Sequence, residues 1–139
     1  MFTRVLLAVD DSPQTSAAVE AVVKLAAGDQ AAGDVHVLHV LEHGPGRAAA
    51  YDLESADDVQ VIVTSATTDL DRAGVRSTGE HTECLAGDVG RTIAESAARL
   101  DCDLVVVGSR GLSDLGAAVM GSVAHDVIRH FDGCVLVAR

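Results

Sequence analysis

Aromatic side chains are almost missing from this chain: its 139 residues include two Phe, one Tyr and no Trp. A core must therefore be built from Val, Leu, Ile and Ala. Val-rich buried strands with Ala-rich helices point to an α/β layer protein rather than a β-sandwich. Lysine is nearly absent too, Lys24 being the only one, and it follows no Gly-rich loop. That removes a Walker A site; GxGxxG, HExxH and GxSxG do not occur either. The three cysteines, Cys84, Cys102 and Cys134, are odd in number, far apart and form no CxxC. This excludes a disulfide framework and fits a reducing cytoplasm. Each lies among apolar residues and is read as a small buried hydrophobe. No apolar run approaches the ~20 residues of a membrane helix, and the run in MFTRVLLAVDD is too short for a signal peptide. The expectation is a soluble, cytoplasmic protein.

Positive charge is the other shortage. Ten Lys and Arg face 21 Asp and Glu, a net charge of -11. Such a surface repels phosphate backbones, so neither nucleic acid nor an anionic membrane is an expected partner. The acid is mostly Asp, 15 against 6 Glu. This composition resembles that of halophile proteins, whose carboxylates hold water in high salt; an ordinary acidic chain from a GC-rich genome shares it. The length suits one domain over residues 1–139, with a core that needs no disulfide or structural metal.

Apolar runs and their punctuation give the element order. Val5–Val9 reads as a buried strand, followed by a helix start in which Asp11 or Ser12 caps and Pro13 takes the first helical position. Ala17, Ala21 (or Val22), Leu25 and Ala26 mark that helix, and Val35, Val37, Leu38 and Val40 a second strand. Tyr51–Ala73 reads as a long helix with Val59, Ile62, Val63, Ala66 and Leu70 inward, Asp57, Asp58, Asp69 and Asp71 outward, and Gly74 as stop. Val75–Leu85 is a weakly patterned, edge-like strand. Asp88 caps a helix carrying Val89, Ile93, Ala97 and Leu100. Leu104–Val107 is the strongest buried strand. Ser122–Phe131 is a short helix and Val135–Ala138 a last strand. Strands and helices alternate throughout. The fold class is therefore α/β: a single domain with an open, five-stranded, mainly parallel sheet and helices on both faces.

In such folds ligands lie beyond the carboxyl ends of the strands, where strand order reverses. The first strand is followed there by Asp10, Asp11 and Ser12, the second by Leu41 and Glu42, the fourth by GSRGLSDLGAAVMGSV. In that last segment two residues separate Gly108 from Gly111, and nine separate Gly111 from Gly121–Ser122. Glycines let main-chain N–H groups approach an anion, and Gly121–Ser122 stand at the positive end of a helix. Arg110 adds a charge and Ser122 a hydroxyl donor. From spacing alone a second reading stands beside the phosphate cradle: a tight turn at Gly108 and Gly111, with a cap at Gly121. His36 and His39 alternate to opposite faces of a strand and are read as packed or surface residues rather than metal ligands.

The whole chain resembles the universal stress protein family. The resemblance rests on VLLAVDDS (Val5–Ser12), LHV (Leu38–Val40), DLVVVGSRG (Asp103–Gly111), GSVAHDVIRH (Gly121–His130) and the terminal CVLVAR. Gly108, Gly111, Gly121 and Ser122 reproduce without a gap the glycine pattern of the family's ATP-binding members. The resemblance implies a Rossmann-like domain of the adenine nucleotide alpha hydrolase-like kind. It implies bound ATP with Mg²⁺ and a homodimer, here through the apolar C-terminal strand. By position, Asp10 would lie at the ribose and phosphates, and Val40 would offer backbone to the adenine edge. Val107 and Gly108 would line the ribose; Gly111, Gly121, Ser122 and Val123 would wrap the phosphates. Ala8 matches a further lining position. Asp11 stands where the family often has Gly, the loop Leu112–Met120 carries no Lys or Arg, and Gly133–Cys134 replaces a common Pro. The implied role is an ATP-binding signalling module read by unknown protein partners, with no catalytic residue and at most slow ATP hydrolysis. The alternatives are a slow ATPase or autophosphorylating enzyme, or a member that binds another adenine nucleotide or none.

Overall fold

Continuous apolar runs in this chain become strands covered on both faces. The computed structural model describes residues 2–28, 33–43, 56–109 and 120–139. Strands β1 (Arg4–Ala8) and β4 (Leu104–Gly108) carry VLL and LVVV, in which no residue is more than 3% exposed. A strand with helices on both sides shows no alternation, because neither face meets water. With β2 (Asp34–His43), β3 (Ser77–Leu85) and β5 (Cys134–Ala138) they form one sheet in the order β3-β2-β1-β4-β5, every pairing parallel. Val5, Leu7, Val35, Val37, Leu104 and Val106 pack with α1 (Gln14–Ala26) and α2 (Ala56–Arg72). Leu6, Leu38, Val105 and Val107 pack with α3 (Val89–Arg99) and α4 (Ser122–His130). The expected α/β class with helices on both faces is observed. Among the described residues no helix is long and apolar enough to cross a membrane.

Several local expectations change. In α1 the buried residues are Ala18, Val19 and Val22, while Ala17, Ala21, Leu25 and Ala26 are only partly covered. Small apolar residues flank both sides of the stripe, so spacing left its centre open by one position. Pro13 is the residue before the helix rather than its first member, and no side chain caps α1. The Ser12 carbonyl instead accepts the Thr15 N–H at 3.2 Å. Asp88 stands at the cap position of α3 without capping it; its carboxylate lies 3.9 Å from Arg91. The described part of α2 begins at Ala56; the residues 51–55 of its expected start lie outside the described residues. Its inward stripe of Val59, Val63, Ala66 and Leu70 is as expected, and Gly74 ends the unit with φ of 77°. That left-handed turn lets the Val75 N–H return to the Leu70 carbonyl at 2.9 Å. β3 is the sheet edge that its weak pattern implied. Cys102 is buried, and loss of water, with Asp103 nearby, pushes its thiol up to about 11. Cys134 departs from the buried reading: it starts the other edge strand and is exposed.

Asp103 ties the two central strands together at their amino ends. Its carboxylate accepts the N–H groups of Thr3 at 2.8 Å and Arg4 at 3.1 Å, and its own N–H donates to the Arg4 carbonyl at 3.0 Å. Burial alone would push this carboxyl up. The main-chain donors outweigh that and hold it below the ordinary aspartate value. Charge-assisted bonds contribute about 1.5–3 kcal/mol when buried, and solvent screening at this exposed site brings that to about 1 kcal/mol. We expect Asp103→Ala to lose stability of that order in urea denaturation at pH 7. A depressed native pKa stabilises fully above the unfolded value and is lost as pH falls through the native one. The gap between wild type and variant should therefore narrow below about pH 4.

Candidate functional site

Strand order reverses between β1 and β4, so the crevice at their carboxyl ends is where loops diverge and leave space. The exit of β1 is fixed first. The Val9 N–H donates to the Leu38 carbonyl at 2.9 Å, and His39 Nδ1 lies 2.9 Å from the Val9 carbonyl. A carbonyl only accepts, so the proton of His39 is on Nδ1. His39 is 5% exposed and sits one strand away, on β2. Sequence reasoning left it as a packed or surface residue; its role in holding β1's exit needs a contact thirty positions away.

Asp10 then organises the turn into α1. Its Oδ1 accepts the Ser12 N–H at 2.9 Å and the Ser12 hydroxyl at 2.5 Å, and lies 3.0 Å from Thr15 Oγ1. Its N–H donates to Thr15 Oγ1 at 3.0 Å. The carboxylate expected at the ribose and phosphate side is thus engaged with its own turn, while Asp11 next to it is exposed. On the other side of the same helix start, Gly108 ends β4 against Gln14. A Cβ on Gly108 would lie 2.9 Å from Gln14 Cβ and 3.0 Å from its carbonyl oxygen. Both expected residues therefore meet the first turn of α1, from opposite strands.

The apolar candidates converge. Ala8, Val40, Val107 and Val123 all belong to the cluster under α3 and α4, with Val107 buried and the other three half-buried. Val89, the first residue of α3, joins the same cluster; the sequence marks it as part of an apolar helical stripe but not as a neighbour of the site residues. Beside them Gly121 stands immediately before α4, with φ of -59° and ψ of 151° that are open to any residue. Among the described residues no side chain caps α4; its first turn holds no acidic residue, and Ser122 is exposed. An uncapped helix start of this kind presents main-chain N–H groups and the positive end of the dipole. Arg110 and Gly111 lie outside the described residues. His36 and His39 do fall on opposite faces: His36 shares a 3.0 Å hydrogen bond with Thr78, while His39 points to Val9. Among the described residues no three His, Cys, Asp or Glu side chains are grouped to hold a metal.

The model of the universal stress protein family matches residues 1–139. The chain belongs to that family. A curated relative from Coxiella burnetii, universal stress protein A homolog 1, is 30% identical over 99% of this chain and 95% of its own. A universal stress protein from Archaeoglobus fulgidus superposes with a TM-score of 0.77 at 22% identity, all of both chains covered. Another structure from that organism was solved in complex with dAMP (TM-score 0.71, 20% identity, 99% and 98% covered). A further universal stress protein was solved in complex with cAMP (TM-score 0.62, 22% identity, 99% and 97% covered). At such identities the likeness establishes the fold.

In this universal stress protein the glycine that ends β4 has a packing reason independent of any ligand. An added methyl group must push the first turn of α1 away. Overpacking of this kind costs about 1–3 kcal/mol. We expect Gly108→Ala to lose that much stability in urea denaturation of the ligand-free protein. Unchanged stability would leave ligand approach as the only reason for the glycine.

Proposed function

We propose that this universal stress protein binds ATP, with Mg²⁺, at the carboxyl ends of β1, β2 and β4, and acts as a signalling module. The observation that carries the reading is one juxtaposition: the apolar surface of Ala8, Val40, Val107 and Val123 beside the uncapped start of α4. A flat apolar base needs the first and a phosphate needs the second. In this reading Val40 offers backbone to the adenine edge, Val107 and Gly108 line the ribose, and Gly111, Gly121, Ser122 and Val123 wrap the phosphates, with Arg110 adding charge. The residues present fit a nucleotide-borne Mg²⁺, which takes one or two carboxylates and the phosphates. Asp10 or exposed Asp11, after β1, would supply the carboxylate. The ion would neutralise phosphate charge in a chain whose sole lysine, Lys24, is paired with Glu20 on α1.

Chemistry beyond binding has little support. Phosphoryl transfer needs a positioned nucleophile and charge neutralisation, and no described residue offers a base aimed at the crevice. Hydrolysis is expected below about 1 per second. Bound nucleotide would instead favour a conformation that protein partners read. A second reading, an adenine monophosphate as the ligand, draws support from the relatives solved with dAMP and cAMP. Calorimetric titration of nucleotide-stripped protein with Mg-ATP, AMP and cAMP separates the two. We expect ATP to bind with a Kd on the order of micromolar, and Gly121→Val to abolish it. Its backbone angles are open to valine, and thermal melting of the variant checks that the fold is kept. Tighter binding of a monophosphate would replace ATP as the ligand; no binding at all would sink both readings.

The proposal includes a homodimer through β5. This edge strand carries Val135, Leu136 and Val137, all half-buried and uncharged. The opposite edge, β3, carries Glu80, His81 and Glu83, which guard it against pairing. An unguarded edge recruits a second copy by strand addition. Val135→Asp is expected to convert the dimer to a monomer in light scattering; an intact dimer in the variant would move the interface elsewhere.

A further inference from the structure

The placement of α4 depends on a residue outside the glycine loop. Gly90, the second residue of α3, is buried where α3 meets α4. A Cβ at this position would lie 2.5 Å from Asp126 Cβ, 2.8 Å from the Val123 carbonyl oxygen and 3.2 Å from the Val127 nitrogen. The helices therefore touch backbone to backbone. Two of these three atoms are main chain and the third is a Cβ, so no flexible side-chain end can swing aside. Carbon atoms in van der Waals contact sit at about 3.5–4 Å, so any side chain at position 90 must drive the helices apart by about 1 Å.

That displacement has a direction relevant to the crevice. Val123 lies in the first turn of α4, one residue after Ser122, and the Gly90 contact bears on its carbonyl. Residue 89, the neighbour of Gly90, packs in the same cluster as Ala8, Val40 and Val123. The atoms that crowd position 90 run from Val123 to Val127, the turn of α4 that also carries buried Ala124 and Val127, while α3 is held one turn on by buried Ile93 and Ala97. Widening the crossing at Gly90 thus moves the start of α4 relative to the strand ends, while Ala8, Val40 and Val107 stay on or beside the sheet.

We propose that Gly90 is a positioning residue for the nucleotide site. By allowing α3 and α4 to touch, it sets the N–H groups at Gly121–Val123 at the right distance from the apolar floor. The inference rests on the nucleotide reading above and assigns a spacing role to a residue that touches no ligand. A misplacement of about 1 Å can cost up to a hundredfold where donors must converge on one group. Its signature is selective. Adenosine, which lacks phosphate, depends on the floor; ATP depends on both the floor and α4.

The test compares Mg-ATP with adenosine on wild type and Gly90→Ala by calorimetry, with thermal melting of each protein. We expect ATP to weaken at least tenfold in the variant while adenosine stays within about twofold. Ile93→Val serves as control: it thins the same cluster without adding bulk at the crossing, and should leave the ratio of ATP to adenosine affinity unchanged. Equal weakening of both ligands, no change in either, or the same altered ratio in Ile93→Val overturns the inference. Should Gly90→Ala fail to fold, Gly90→Ala combined with Asp126→Gly removes the shortest contact, and must then show part of the selective loss. Failure of the underlying reading shows separately: wild type would bind ATP no more tightly than adenosine, and the inference would fall with it.

Discussion

The pairing of β1 with β4 is the constraint on which the other features depend. It sets Val5, Leu6 and Leu7 beside Leu104, Val105 and Val106, across about a hundred residues of chain. Closing so long a loop is entropically unfavourable. The offset comes from burying both strands on both faces and from ties at each end. Asp103 accepts two N–H groups at the amino end. At the carboxyl end Gly108 lies against Gln14, so that β4 meets the helix that β1 leads into. The crevice is the space that opens where these two strands send their chains to opposite faces.

Turn chemistry and packing divide the work around that crevice. Asp10 directs its carboxylate into its own turn through Ser12 and Thr15, and His39 holds the Val9 carbonyl just before it. These hydrogen bonds fix the course of the chain from β1 into α1. The floor is aliphatic because the chain has almost no aromatics, so a base there would be held by the methyl groups of Val40, Val107 and Val123 rather than by stacking. On the far side the start of α4 adds the positive end of a helix dipole in a chain of net charge -11. Its position follows from the close crossing at Gly90.

The two sheet edges differ for the same physical reason. β3 carries Glu80, His81 and Glu83 along its length, and Glu80 links to Arg99 of α3 at 2.8 Å. β5 has no charged side chain, and only Cys134 and half-buried aliphatics meet solvent. Charge at one edge and its absence at the other give the sheet a single side suited to strand addition.

By itself, the sequence determined the fold class, the order of elements and which runs are buried. Continuous apolar strands, helical stripes and Gly punctuation are local signals, and the two central strands VLL and LVVV are unmistakable in them. The spacing of Gly108, Gly111 and Gly121–Ser122 is a local pattern of the same kind, set beside a strand and a helix. Tertiary structure decided what no spacing carries. It turned the Asp10 carboxylate onto its own turn, set His39 under Val9, exposed Cys134 and gave Gly108 a packing role. It also brought Val89 to the floor and Gly90 against α4. Each of these depends on a neighbour that other elements bring into place, and distances between elements are set by how side-chain volumes pack, which the order of residues along one strand or helix does not record.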